Sequence, residues 1–156
     1  MLNLILWRHA QAEVGDKDLA RRLTKKGRKQ ARKMAAFLRE KLPEKPELWV
    51  SEAKRSRQTA AYLGRPTRRL AGLNPNVAAY DIAPILGECG ENQTVIVVGH
   101  QPWIGDLAAL LLNGNGEVAA RSWAFKRGAI WWFEIGRTAD DTLSVKLRMV
   151  MNPKDI

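Results

Sequence analysis

Thr94-Val95-Ile96-Val97-Val98-Gly99, followed by His100-Gln101-Pro102, is the stretch that decides the fold. Its residues are apolar and mostly β-branched on both faces, as in a central parallel strand covered on each side. The run stops at Gly99, and Pro102 starts a helix, a position where its missing N–H costs little. Ile104, Leu107, Ala108 and Leu111 give that helix one apolar stripe, and Asn113-Gly114 ends it. Leu2–Trp7 repeats the pattern at the start of the chain: a short apolar run, too brief for a helix, that gives way at once to Arg8-His9.

Between these strands, residues 10–23 read as a loop. Thr24 caps a helix to about Leu42, with Ala31, Met34, Ala35, Leu38 and Leu42 on one face and Pro43 and Pro46 beyond it. Leu48-Trp49-Val50 is a strand, Ala53–Leu63 a helix, and residues 64–76, with Gly64, Pro66, Gly72 and Pro75, a loop. A short helix covers Ala78–Leu86 despite Pro84, and strands at Ala129–Ile135 and Leu143–Val150 flank a polar turn, Gly136–Thr142. This alternation predicts a three-layer α/β/α sandwich with a mainly parallel sheet. No repeat or linker divides the chain, so residues 1–156 are expected to form a single domain.

Composition narrows the chemistry. Cys89 is the only cysteine and His9 and His100 the only histidines, so an intrachain disulfide is impossible and a Cys-based zinc cage lacks ligands. The amino terminus has no basic n-region, and no stretch approaches the roughly 20 apolar residues of a membrane span. A cytoplasmic protein is expected. The net charge of +10 favours negatively charged partners.

The two histidines fall at strand exits. His9 follows the first strand, His100 follows the 94–99 strand, and open parallel sheets bind ligands outside the carboxyl ends of their strands. If those strands are neighbours, both imidazoles reach one crevice. Arg55 lies in the first turn of the helix after Val50, where free N–H groups and the helix dipole already favour anions. Arg8, Arg55 and that helix end form a pocket for a dianion such as a phosphoryl group.

The same residues resemble a known family. Leu4-Ile5-Leu6-Trp7-Arg8-His9-Ala10 is similar to the Arg-His-Gly signature of the histidine phosphatase superfamily, in the Arg-His-Ala form of its small phosphohistidine phosphatases (SixA type). Arg21-Arg22-Leu23-Thr24-Lys25-Lys26-Gly27 resembles the group's Arg-Pro-Leu-Thr-x-x-Gly segment. Ser51-Glu52-Ala53-Lys54-Arg55-Ser56-Arg57-Gln58-Thr59 resembles Ser-Pro-x-x-Arg-x-x-Gln-Thr, and Val98-Gly99-His100-Gln101-Pro102 resembles Val-Gly-His-x-Pro. The resemblance implies a phosphoglycerate mutase-like fold. It makes His9 the nucleophile, with Arg8, Arg55 and His100 clamping the phosphoryl oxygens and Arg21 near the pocket. It also implies a phosphorylated protein as partner, such as a histidine-phosphotransfer domain, and no cofactor. Trp7, Ala10 and Glu52 depart from the pattern; Glu52 weakens the anion site if it points inward.

Side-chain chemistry agrees independently. An imidazole with an ordinary pKa near 6.5 is largely neutral at cell pH and can attack phosphorus directly. No carboxylate cluster borders the site in sequence, so no Mg²⁺ or Zn²⁺ is expected. Expelling an alkoxide from a phosphate ester normally needs a general acid, whereas the imidazole of a phosphohistidine leaves more easily. The acids available between the arginine block and His100 include Asp81 and Glu88, and no motif places either at the site. A phosphohistidine or phosphoramidate substrate is therefore favoured; the alternatives are a small-ester phosphatase using Asp81 or Glu88 as acid, or a non-catalytic module binding nucleic acid. The run from Arg21 to Lys33 carries Arg21, Arg22, Lys25, Lys26, Arg28, Lys29, Arg32 and Lys33 and no acid. It is either a solvated face or a guide for an acidic phosphoprotein. It lacks interleaved aromatic residues, so nucleic acid is not expected as its partner. Trp131 and Trp132 are expected on opposite faces of a strand. A monomer, or a weak dimer through exposed tryptophans on an edge strand, is the expected state.

Overall fold

The computed structural model describes residues 1–114 and 122–156. Among these residues, six strands form one sheet: β1 (Leu2–Arg8), β2 (Glu47–Val50), β3 (Arg68–Arg69), β4 (Thr94–Gly99), β5 (Ile130–Arg137) and β6 (Leu143–Met151). Their order is β3-β2-β4-β1-β5-β6. The first four run parallel, β5 returns antiparallel beside β1, and β6 closes the sheet antiparallel to β5. Among the described residues, helices α1 (Lys25–Lys41), α2 (Lys54–Ala61), α3 (Ala79–Leu86) and α4 (Trp103–Asn113) cover it.

Period-2 alternation along the strands splits the core into two layers. Leu4, Leu6, Val95, Val97, Trp131 and Phe133 face one side and pack with α3 and α4 through Ile82, Trp103, Ile104, Leu107 and Ala108. Ile5, Trp7, Ile96, Val98, Ile130 and Trp132 face the other and meet Met34, Ala35 and Leu38 of α1 and Ala60 of α2. This is the α/β/α sandwich, with β4 buried along its whole length. Trp131 and Trp132 do point to opposite faces, but both are buried and β5 is an inner strand. The edge strands are β3 and β6, and neither carries a tryptophan, so the expected exposed edge-strand tryptophans are absent among the described residues. Arg148 of β6 instead lies over the Trp132 ring, 4.1 Å from its centroid.

One difference from the sequence reading has a local cause. The segment read as loop over 64–76 contains β3, a two-residue pairing with Trp49 and Val50 that its charged sequence, Arg68-Arg69, conceals. Arg68 also covers Trp49, 4.7 Å from the ring centroid. The short helix expected over Ala78–Leu86 forms as α3, 8 residues long with Pro84 inside it.

Thr24 caps α1 as expected, its Oγ1 accepting the Gly27 N–H at 2.9 Å. Gly27 then packs directly under the main chain of Gln11, so a Cβ there would fall inside the Gln11 carbonyl. In an exposed helix interior Gly→Ala gains about 0.8–1 kcal/mol. Here the clash reverses the sign: Gly27→Ala should destabilise the fold by about 1–2 kcal/mol, as overpacking does elsewhere. Urea unfolding at constant m-value measures it, and a stabilised variant would show that Gln11 moves freely.

Candidate active site

The site begins with strand register. Arg8 of β1 pairs with Gly99 of β4, so the next residue on each strand, His9 and His100, emerges at the same level of the sheet. The His9 amide donates to the Gly99 carbonyl at 3.0 Å, and the ring centroids are 5.0 Å apart. Both side chains are buried. Beside them β2 ends at Val50, and Ser51 turns the chain into α2, whose second residue is Arg55. The three strand exits read from the sequence therefore meet.

Each imidazole is held by one nitrogen. His9 Nδ1 lies 2.7 Å from the Ala10 carbonyl. A carbonyl only accepts, so Nδ1 carries the proton and the lone pair of the neutral ring sits on Nε2. His100 Nε2 lies 2.7 Å from Ser51 Oγ, which accepts the Ala53 N–H at 3.1 Å. His100 Nδ1 is buried with no hydrogen-bond partner among the described residues. Burial pushes the His9 pKa down from 6.5 to about 3; the Ala10 carbonyl opposes this, while the charges of Arg55, Arg8 and Arg21 add to it. Burial also pushes His100 down, to about 2, followed by the charges of His9, Arg55, Arg8 and Arg21. Both rings are neutral in the empty site at neutral pH.

The arginines are anchored at one end and open at the other. Arg8 Nη1 donates to the Phe125 carbonyl at 2.6 Å, while its Nε is buried without a partner among the described residues. Arg55 has 4% of its side chain exposed; Nη1 donates to the Asp18 carbonyl at 2.7 Å and Nη2 to Asp18 Oδ2 at 3.2 Å. Its Nε too lacks a partner. Burial lowers both guanidinium pKa values; nearby Arg127 adds to the effect at Arg8, and Asp18 offsets it at Arg55.

Asp18 is the residue the sequence reading missed. It sits on a short 3-10 turn, Asp18–Ala20, inside the segment read as plain loop, and joins Arg55 to Arg21, whose Nη1 donates to Asp18 Oδ1 at 3.0 Å. Burial would raise its pKa, but hydrogen bonds from Arg21 and Arg55 and their charges outweigh it and lower the value. Arg21 also donates through Nε to the Glu13 carbonyl at 2.7 Å. It reaches the site through this bridge and through its charge on both imidazoles. As one of three acids in this loop, with Glu13 and Asp16, Asp18 gives no sequence signal without knowing that the loop folds over α2.

The other sequence candidates lie elsewhere. Asp81 is exposed in the first turn of α3, and Glu88 pairs with Arg68 at 2.9 Å. Neither is among the charges acting on the histidines, so the structure does not bring the suggested general acids to the site. Glu52 turns to Asn74, whose Nδ2 donates to its carboxylate at 2.9 Å, and spares the anion pocket. Among the described residues no three His, Cys, Asp or Glu side chains are grouped to hold a metal ion, and no helix is long and apolar enough to cross a membrane.

Two neutral imidazoles and two guanidinium groups, with buried donors left over, are an arrangement able to hold a tetrahedral dianion at the end of a mainly parallel sheet. The comparisons with known proteins agree. Residues 4–76 match the family model of the histidine phosphatase superfamily (branch 1). An uncharacterized Mycobacterium tuberculosis protein is 34% identical over 121 residues, covering 72% of this chain and 74% of that one. A protein assigned as phosphohistidine phosphatase SixA in Nakamurella multipartitia superposes with a TM-score of 0.77 at 27% identity, over 97% of this chain and 95% of that one. A mycobacterial glucosyl-3-phosphoglycerate phosphatase shares the fold at a TM-score of 0.75 and 18% identity, over 96% and 98% of the two chains. The chain belongs to the histidine phosphatase superfamily, and with it to the phosphatases.

The depressed histidine pKa values carry a stability signature. In the unfolded chain His9 and His100 titrate near 6.5; in the folded chain they stay neutral until about 3 and 2. Below pH 6.5 the unfolded state binds more protons, so the stability present above that pH is lost as pH falls. Tm should drop between pH 6.5 and 4.5, above the range where Asp18 titrates. Inorganic phosphate should reduce the drop by supplying the anion that favours protonated rings. The His9→Asn/His100→Asn double variant should flatten it; an unchanged slope would place its source elsewhere.

Proposed function

We propose that this chain is a phosphohistidine phosphatase that removes phosphoryl groups from a phosphorylated protein through a covalent phosphohistidine at His9, without a metal or cofactor. The observation that carries this reading is the 5.0 Å approach of the His9 and His100 rings, with the charges of Arg8 and Arg55 acting on both, together with three buried nitrogens that have no partner among the described residues, Arg8 Nε, Arg55 Nε and His100 Nδ1. Buried polar atoms of native proteins are nearly always hydrogen-bonded, and a tetrahedral oxyanion supplies the missing acceptors.

In the first step the His9 Nε2 lone pair attacks phosphorus and the P–N bond to the substrate imidazole breaks. The leaving ring takes the bonding electrons and a proton from solvent. Arg8 and Arg55 neutralise the equatorial oxygens, and His100 donates a hydrogen bond through Nδ1. In the second step water attacks the phosphohistidine, phosphate departs, and His9 regains its lone pair. The tautomer fixed by Ala10 keeps the attacking nitrogen unprotonated throughout.

The leaving group selects the substrate class. The carboxylate touching the pocket arginines, Asp18, has a lowered pKa and stays ionised, which makes it a poor proton donor. Phosphate esters depend on such a donor far more than phosphohistidine does. This supports protein phosphohistidine over small phosphate esters, the substrate type of the mycobacterial structural relative.

His9→Ala should abolish both hydrolysis and phosphoenzyme labelling, a loss of at least about 10³-fold. Arg55→Lys should cost about 10²-fold, because an ammonium cannot reproduce the planar fork. Hydrolysis of a phosphohistidine peptide, a phosphoramidate and an aryl phosphate, each with and without EDTA, tests the whole reading. The expected result is preference for the P–N substrates with no chelator effect. An aryl phosphate turned over as fast as the others would replace it with the ester reading.

A further inference from the structure

The chain Lys126-Arg127-Gly128 leads into β5 and, beyond the charge of Arg127 on Arg8, has been given no role in the site above. It is locked to the proposed nucleophile through the main chain. Gly128 N–H donates to the His9 carbonyl at 3.1 Å, and Arg8 N–H to the Ala129 carbonyl at 3.0 Å. Trp7 Nε1 donates to the Gly128 carbonyl at 3.1 Å and Arg8 Nη1 to the Phe125 carbonyl at 2.6 Å. Gly128 has a φ of +77°, and a Cβ there would crowd Pro153 Cγ at 3.0 Å and Gln30 Cβ at 3.5 Å. A glycine is therefore required where this turn, α1 and the 152–155 turn approach one another. Those three segments enclose a cleft of about 540 Å³ next to Arg8.

Its lining is one-sided in charge. Arg8, Lys26, Lys126, Arg127 and Lys154 face it with Gln11, Gln30 and Asn152, and among the described residues no carboxylate does. Asp155, on the same turn as Lys154, is engaged by Asn152 Nδ2 at 3.1 Å. Gln30 presents donors as well, because its Oε1 accepts the Gln11 backbone N–H at 3.0 Å and its NH₂ is left for the cleft. Arg8 belongs to both pockets, so a ligand on Arg8 and Lys126 lies directly beside a phosphoryl group on Arg8 and His9.

We propose that this cleft is a second anion subsite, and that it receives carboxylate side chains next to the phosphohistidine of the substrate polypeptide. It rests on the phosphohistidine phosphatase reading and extends it to substrate sequence. A polypeptide fits better than a small second anion because the cationic surface continues past the cleft. From Lys26, exposed Lys29 and Lys33 follow on one face of α1, extending it by about 10 Å at 1.5 Å per residue.

The test uses the full chain with two phosphohistidine peptides that differ only in flanking Glu and Asp against Gln and Asn, with a phosphoramidate and a small bisphosphate. The acidic peptide should be favoured about tenfold in kcat/KM at low salt, mainly through KM, and less as salt is added. In the Lys126→Gln/Arg127→Gln/Lys154→Gln variant, altered only at exposed positions, the ratio between the peptides should fall towards one. Lys154→Gln alone should give an intermediate ratio. Equal rates for the two peptides in the unaltered chain, or a preference that survives the triple change, would overturn the subsite. A bisphosphate preferred over the acidic peptide would overturn the polypeptide assignment. If no substrate is hydrolysed, the phosphatase reading fails, and fluorescence anisotropy of the unphosphorylated acidic peptide decides the subsite separately. Binding lost in the triple variant supports it; binding absent or unaltered rejects it.

Discussion

One pairing carries the rest of the molecule: the parallel ladder between β1 and β4. Ten-residue loops can drift, but two hydrogen-bonded strands buried on both faces cannot slip, since a shift of one residue would turn every core side chain to the wrong layer. Leu4 and Val95 must face one core, Ile5 and Ile96 the other. That requirement, set by apolar packing far from any polar group, also fixes where β1 and β4 stop. His9 and His100 are adjacent because the core has only one register.

Convergence of cations then creates an electrostatic problem that the fold resolves in two ways. Burial makes protonation unfavourable, so the imidazoles remain neutral and do not add to the charge of Arg8, Arg21 and Arg55. The arginines cannot lose their protons, and Asp18 meets two of them with both carboxylate oxygens. In the proposed reaction, a phosphoryl group entering the pocket would compete with Asp18 for Arg55. The carboxylate thus keeps the empty site from being a field of unpaired charge and leaves it open to a stronger, doubly charged ligand.

The parts of this arrangement legible in the sequence are those written as local pattern. TVIVVG followed by histidine, and an apolar run followed by Arg8-His9, show a strand and its functional exit together. Arg55 is legible because it falls in the first turn after a strand. Asp18, Ser51 and the Phe125–Gly128 turn are different. Their roles come from contacts between segments 37 to 121 residues apart, and no period or spacing encodes such a meeting. Ser51 lay within the block that resembles the family, yet its bond to His100 is visible only once β2 is placed beside β4. The same block contains Gln58 and Thr59, whose side chains accept the Leu23 and Ala10 amides and so pin both ends of the 10–23 loop to α2. A motif residue can be structural, and these two hold Asp18 in reach of Arg55.

Trp7, a departure from the family pattern, shows how far one core residue reaches into the chemistry. Its ring is fully buried among Ile5, Val98 and Ile130, which fixes the last turn of β1 before His9. Its Nε1 bonds to Gly128, so the turn bearing Lys126 and Arg127 moves only if the tryptophan does. A valine or methionine at this position would fill part of the same space and leave the Gly128 carbonyl without its donor. The indole therefore joins two functions that smaller residues would separate: it packs the strand that presents the nucleophile, and it ties the neighbouring basic turn to that strand at a constant distance.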